Sequence, residues 1–76
     1  MTLTEQQIKI MQEDMSAQLV ELLMDKWDYS MEEALSVWYN SDTFARLSDT
    51  RTGLYYQSAG YVYSFLENEL RTGVCA

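Results

Sequence analysis

Histidine and proline are absent from the 76-residue chain, and cysteine occurs once, at Cys75. Without histidine, the chain lacks the commonest general base near neutral pH and a principal ligand of transition metals. A single cysteine cannot form an intramolecular disulfide, and a small fold without disulfides is typical of a reducing cytosol. These absences argue against nucleophilic triads, most transition-metal centres and a disulfide-stapled secreted domain.

Glycine is also scarce, with three residues, so few positions interrupt a helix. Apolar residues nevertheless make up 47% of the chain and aromatic residues 13%, which exceeds the content of disordered chains. We expect one all-α domain over residues 1–76, a small compact bundle of three to four helices, with residues 1–3 and 73–76 frayed. Because so short a chain buries only about 60% of its unfolded surface, its net stability should be about 5 kcal/mol.

Positive charge is scarce as well, because five basic residues oppose twelve acidic ones and give a formal net charge of −7. A diffuse negative field repels phosphate groups, so nucleic acids and anionic membranes are poor partners, whereas a basic protein is attracted. The same charge also favours solubility. No run approaches the roughly 20 apolar residues of a membrane span, and residues 1–14 lack the pattern of a signal peptide. We therefore expect a cytoplasmic protein.

Two capping boxes predict where the first two helices begin. The boxes are Thr4-Glu5-Gln6-Gln7 and Ser30-Met31-Glu32-Glu33. In each box the hydroxyl of the first residue can accept from the backbone amide of the fourth residue, and the side chain of the fourth residue can accept from the backbone amide of the first. The predicted helices span about 4–27 and 31–39. Apolar residues of the first helix recur at steps of three and four, on one face: they are Ile8, Met11, Met15, Leu19, Leu22 and Leu23. The expected apolar edge of the second helix is Ala34, Leu35 and Trp38.

A short third helix is predicted over 42–48, capped by Ser41 or Asp42. The segment from Ser48 to Gly53 collects residues that hydrogen-bond their own backbone and one residue that accepts a positive φ. We expect this segment to be an ordered loop.

A fourth helix is predicted over 54–72, with Gly73 as its C-terminal stop. Alternating aromatic and β-branched residues at 60–65 also fit a strand. We prefer a helix because the apolar set continues at helical spacing through Leu66 and Leu70, and no partner strand is evident.

The fourth helix has an apolar and aromatic arc of roughly 200°, about twice the width that one buried face of a surface helix needs. Its central stripe is predicted to be core and consists of Tyr55, Ala59, Val62, Leu66 and Leu70. The flanking tyrosines can lie at the rim of the bundle, with the ring buried and the hydroxyl in water. Alternatively, part of the arc contacts another chain.

Tyrosine and tryptophan are enriched at interface hot spots, so we predict a binding patch on the fourth helix and the adjoining second helix. Its candidate partner-binding residues are Trp38, Tyr39, Tyr56, Tyr61 and Tyr63. The occupant would be a partner protein or a second copy in a homodimer. Met11, Met15 and Met24 are adaptable residues that suit contact surfaces, although filling gaps in a core is the commoner use of methionine. The leading interpretation is a non-enzymatic protein-interaction module.

Motifs for catalysis, cofactors or metals are not evident in the sequence. Glu32 and Glu33, like Glu67 and Glu69, are only one or two residues apart, so the members of each pair do not face each other on a helix. A calcium loop beginning at Asp28 lacks the glycine that the EF-hand requires at its sixth position. We therefore expect no enzymatic activity, no cofactor, no metal and no small-molecule substrate.

The second and third helices together have the proportions of a helix-turn-helix pair over residues 31–48. A DNA-binding or transcriptional accessory function is thus the alternative. A DNA reader normally places several basic residues against phosphates, but residues 42–48 contain only Arg46.

The second half of the chain carries a set of distinctive short strings: Tyr39-Asn40-Ser41, Leu47-Ser48-Asp49, Thr52-Gly53-Leu54-Tyr55, Gln57-Ser58 and Tyr61-Val62-Tyr63. With Glu33-Ala34 as a helix start, the set resembles a family of short uncharacterised bacterial all-helical proteins, a domain of unknown function, over about residues 27–70. Members of families like this are often encoded beside larger partner proteins, some of which resemble toxins of the ADP-ribosyltransferase type. The resemblance implies a bacterial accessory or antitoxin-like binder and transfers no catalytic residue.

Overall fold

The computed structural model describes residues 4–73, which form four α-helices. The helices are α1 (Glu5–Lys26), α2 (Met31–Tyr39), α3 (Asp42–Ser48) and α4 (Ala59–Thr72). Two 3₁₀ turns, Thr50–Thr52 and Leu54–Tyr56, connect α3 to α4. No strand occurs between residues 4 and 73, so the prediction of an all-α bundle is confirmed and the strand alternative at 60–65 is wrong.

Both predicted capping boxes are formed. The Gln7 amide donates to Thr4 Oγ1 at 3.1 Å, and the Thr4 amide donates to Gln7 Oε1 at 2.9 Å. At α2, the Glu33 amide donates to Ser30 Oγ at 3.2 Å, and the Ser30 amide donates to Glu33 Oε1 at 3.0 Å. Each box satisfies two amides that the first turn of a helix leaves without an intrahelical partner.

The corner between α1 and α2 also attaches α1 to α4. The Trp27 indole Nε1 donates to the Tyr63 hydroxyl at 2.9 Å, and the Trp27 ring stacks on Tyr29 with centroids 6.1 Å apart. Asp28 adopts a left-handed φ of 57°, which turns the chain from α1 into α2. A hydrogen bond spanning 36 residues therefore fixes one end of the bundle.

The first turn of α3 is held by one local and one distant side chain. Ser41 Oγ accepts from the Phe44 amide at 3.0 Å, as an N-cap should. The Glu69 carboxylate of α4 accepts from the amides of Asp42 and Thr43 at 2.8 and 3.0 Å, and from Thr43 Oγ1 at 2.8 Å. A negative charge at a helix N-terminus is also favoured by the helix dipole. Glu69 thus joins the short α3 to α4.

The fourth helix begins five residues later than the sequence suggested, at Ala59 and not at Leu54. Gly53 takes a left-handed φ of 71°, a 3₁₀ turn follows, and the extended Ser58 then caps α4 by accepting from the Tyr61 amide at 3.2 Å. The spacing of about 100° per residue holds only within one continuous helix, and α4 begins after Ser58. Tyr55 therefore does not belong to the apolar stripe of α4. Tyr55 instead lies half-buried in the 3₁₀ turn.

Of the residues predicted to fray, 1–3 and 73–76, only Gly73 lies within the described part of the chain. Residues 1–3 and 74–76 lie outside the described residues. Gly73 ends α4 as predicted, with a φ of 81° and its amide donating to the Glu69 carbonyl at 2.7 Å. This is the left-handed conformation expected of a C-terminal glycine cap.

The core receives side chains from all four helices. Its buried apolar members are Met15, Leu19, Val20, Leu23, Ala34, Trp38, Leu47, Leu54, Val62, Tyr63 and Leu66. Trp38 is the largest fully buried side chain. The placement of Leu35 on the apolar edge of α2 is wrong, because Ala34 and Trp38 take the inward face and leave Leu35 exposed.

Candidate interaction groove

An open groove of about 510 Å³ runs between α1 and α2 and reaches α3. Its apolar wall on α2 consists of Met31, Leu35 and Tyr39, which lie on one face at steps of four residues. These side chains remain 60%, 36% and 54% exposed. The groove is therefore lined by large apolar groups that the fold itself does not cover.

The wall on α1 is formed by smaller and more flexible side chains. Ser16, Ala17 and Val20 line the groove next to Met24. Ser16 and Val20 are buried, whereas Ala17 is exposed. Small residues let another chain approach the α1 backbone closely, and Met24 can adapt to what it meets.

Aromatic contacts hold the α3 end of the groove in place. The Tyr39 ring meets the Phe44 ring edge-on with centroids 4.9 Å apart, and Phe44 meets the buried Trp38 ring at 5.5 Å. Such edge-to-face pairs are favourable. The exposed Tyr39 is thereby oriented through Phe44 by the core.

The charged rim of the groove is formed by α1. Glu13 and Glu21 line this rim together with Lys9, and all three side chains are exposed. Glu13 and Glu21 are eight residues apart in one helix, about 12 Å along its axis. Two carboxylates at that separation cannot share a proton or ligate one metal ion, so their common effect is a negative potential along the rim.

The five predicted partner-binding residues do not form one surface. Trp38 is fully buried and Tyr63 is 7% exposed, so both belong to the core and are not available to a partner. Tyr39, Tyr56 and Tyr61 are exposed, but their ring neighbours differ, namely Phe44, Tyr55 and Phe65 respectively. Of the five, only Tyr39 lines the groove.

Sequence reasoning missed Met31 and Leu35 as surface residues. The signal was present, because α2 carries apolar residues on two sides: Ala34 with Trp38, and Met31 with Leu35 and Tyr39. A nine-residue helix that buries one side leaves the other open. Nothing local indicates which side is buried.

Within residues 4–73, no cluster of three or more histidine, cysteine, aspartate or glutamate side chains is arranged to hold a metal ion. In the same part of the chain, none of the helices combines the length and apolar character needed to cross a membrane.

Comparison of the chain with protein-family models, with curated proteins and with solved structures gives no match.

Proposed function

We propose that this protein is a non-enzymatic interaction module that binds a partner protein through the groove between α1 and α2. The observation that supports this proposal is the row of exposed apolar side chains Met31, Leu35 and Tyr39 beside an open groove. Exposed apolar residues that form a contiguous patch mark interaction sites more often than scattered ones do.

The groove replaces the patch that the sequence predicts on the fourth helix and the adjoining second helix. Burial of Trp38 and Tyr63 leaves that patch without two of its five members. Tyr56 and Tyr61 remain exposed, and of these two Tyr61 lies on α4, where a competing surface would be. The resemblance over residues 27–70 adds a finer proposal, a cytoplasmic bacterial accessory or antitoxin-like binder.

The DNA-binding alternative has less support from the local charges. Of the two arginines nearest the α2–α3 pair, Arg51 forms an ion pair with Asp49, with Nη2 and Oδ2 2.9 Å apart. Its charge is therefore balanced within the loop. The α3 sequence contains no basic residue besides Arg46, whereas a DNA reader normally places several against phosphates.

Affinity capture after cross-linking in cells, read by mass spectrometry, tests the proposal. The groove variant is Met31→Gln with Leu35→Gln, and the matched control is Tyr61→Gln; all three positions are exposed, so the core is left intact. We expect the groove variant to lower recovery of the wild-type partner by about tenfold or more, because losing two hot-spot contacts at over 1 kcal/mol each exceeds the roughly 1.4 kcal/mol of a tenfold change. The control should recover the partner at the wild-type level.

Two results would contradict this assignment. If Tyr61→Gln loses the partner while the groove variant keeps it, the binding surface lies on α4. If the wild-type protein captures no partner, the protein is not an interaction module of this kind.

A further inference from the structure

We infer that the groove accepts an amphipathic helix of the partner, with an apolar face and with lysine or arginine along its flank. The inference rests on the proposed function and specifies the chemistry of the partner at the same groove. Three observations support it: the length of the groove, the size and apolar character of its α1 and α2 walls, and the charge of its rim.

The groove has the length of a helix. Its lining on α1 runs from Lys9 to Met24, about 22 Å along the axis, and its lining on α2 runs from Met31 to Tyr39, about 12 Å. A helix of about 15 residues matches the longer wall. Both walls are themselves helices, so a helix lying between them packs by the ordinary rules for helix pairs.

The α1 and α2 walls of the groove suit the apolar face of a helix. Ser16 and Ala17 are small enough for the axis of a partner helix to approach the axis of α1 to about 8–10 Å. Met24, Leu35 and Tyr39 then lie beside the apolar positions of that helix. Helix-in-groove recognition uses anchors spaced three, four and seven residues apart, and methionine walls adapt to different anchors.

The rim charge selects a basic flank. Glu13 and Glu21 carry two negative charges about 12 Å apart, and Lys9 adds one positive charge at the N-terminal end of the rim. A partner helix with cations seven or eight residues apart can place one opposite each carboxylate. The formal net charge of −7 also draws a basic segment toward this protein.

A second copy of this chain fits the rim less well. Each copy has the same net charge of −7, so association brings like charges together. The helices of residues 4–73 are also packed into one bundle with their inner faces buried, so a second copy has no separate helix in this range to place in the groove. A basic helix of another protein meets neither obstacle.

Synthetic helical peptides provide the test. The basic probe has about 16 residues, with leucine on one face and lysine on both flanks; the acidic probe has glutamate in place of each lysine. Binding to the 76-residue chain is measured by fluorescence anisotropy at low and high salt. We expect the basic probe to bind at least about tenfold more tightly than the acidic probe, and to bind more weakly as salt rises.

Matched variants separate the rim from the overall charge. Glu13→Gln with Glu21→Gln removes two charges at the groove, while Asp14→Asn with Asp25→Asn removes two charges from exposed α1 positions that do not line it. The groove pair should weaken the basic probe by about tenfold, and the control pair by about twofold or less. Equal losses overturn the inference, because only net charge would then matter.

Other outcomes distinguish this inference from the proposed function. If both probes bind equally and the Met31→Gln, Leu35→Gln variant abolishes both, the groove is confirmed and the basic helix is refuted. If neither probe binds but partner capture still depends on Leu35, the inference alone fails. If neither probe binds and capture is independent of Leu35, both fail. A groove-dependent dimer in sedimentation equilibrium replaces the basic helix with a second copy.

Discussion

Replacing Glu69 with alanine removes the carboxylate that joins α4 to the first turn of α3. That carboxylate accepts three hydrogen bonds, from the Asp42 amide, the Thr43 amide and the Thr43 hydroxyl, at 2.8, 3.0 and 2.8 Å. Thr43 is fully buried, whereas Asp42 is exposed. Water can therefore replace Glu69 readily at Asp42 and poorly at Thr43.

The expected loss follows from those environments. A hydrogen bond to a charged group contributes about 1.5–3 kcal/mol, and loss of a favourable charge at a helix N-terminus costs about 0.3–1 kcal/mol, while the Ser41 cap remains. Because Glu69 is partly exposed and water can replace it at Asp42, we expect Glu69→Ala to lower the free energy of unfolding by about 2–3 kcal/mol. For a domain with about 5 kcal/mol of stability, this corresponds to a fall in Tm of about 10–20 °C.

Urea unfolding followed by far-UV circular dichroism measures the loss. Glu67→Ala is the matched control on the same helix, since its contact with Arg71 is exposed and 3.6 Å long and contributes about 0.5 kcal/mol or less. Glu69→Gln keeps an acceptor oxygen without the charge and should lose about 1–2 kcal/mol. Equal stability losses in Glu69→Ala and Glu67→Ala would refute the role given to this carboxylate.

Two further predictions concern the loop and the cap of α2. Gly53→Ala should destabilise the fold by about 1–2 kcal/mol in thermal melts, because φ at Gly53 is 71° and an added Cβ would lie 2.7 Å from Tyr56 Oη. Gly60→Ala is the control and should not destabilise the fold, because an added Cβ there has no atom within 4 Å. Similar losses in both variants would contradict this prediction. Hydrogen bonds from the Ser30 amide and hydroxyl hold the pKa of Glu33 below its ordinary value, so this carboxylate stabilises the fold above an unfolded pKa of about 4.3 and ceases to do so as pH falls through the folded pKa. Unfolding free energies of the wild type should therefore fall more steeply than those of Glu33→Gln between about pH 6 and about pH 3, and parallel curves would contradict the assignment.

The starts of α1, α2 and α3 were predictable because their caps are local. A capping side chain bonds an amide two or three residues along the chain, so Thr4, Ser30 and Ser41 are legible without the rest of the fold. Ser58 has the same role at α4. It was missed because continuous apolar spacing across the 3₁₀ turn resembled one longer helix.

The candidate site was much less predictable than the helices. Met24 and Tyr39 were recognised as possible contact residues, and both line the groove. Leu35 was placed on the apolar edge of α2 but is exposed, whereas Trp38, which was placed on that edge and also among the partner-binding residues, is fully buried. Each error concerns the direction that a side chain faces, which depends on the elements packed against that helix.

The sequence by itself determined the all-α class, three of the four helix starts and the glycine stop at residue 73, because each depends on interactions within a few residues. Tertiary structure alone decided that Glu69 caps α3 across 26 and 27 residues, and that Tyr63 is buried with its hydroxyl accepting from Trp27. It also decided that Met31, Leu35 and Tyr39 remain outside the core. The physical reason is that a short helix with apolar residues on two sides can bury either one, and only contacts between distant segments select between them.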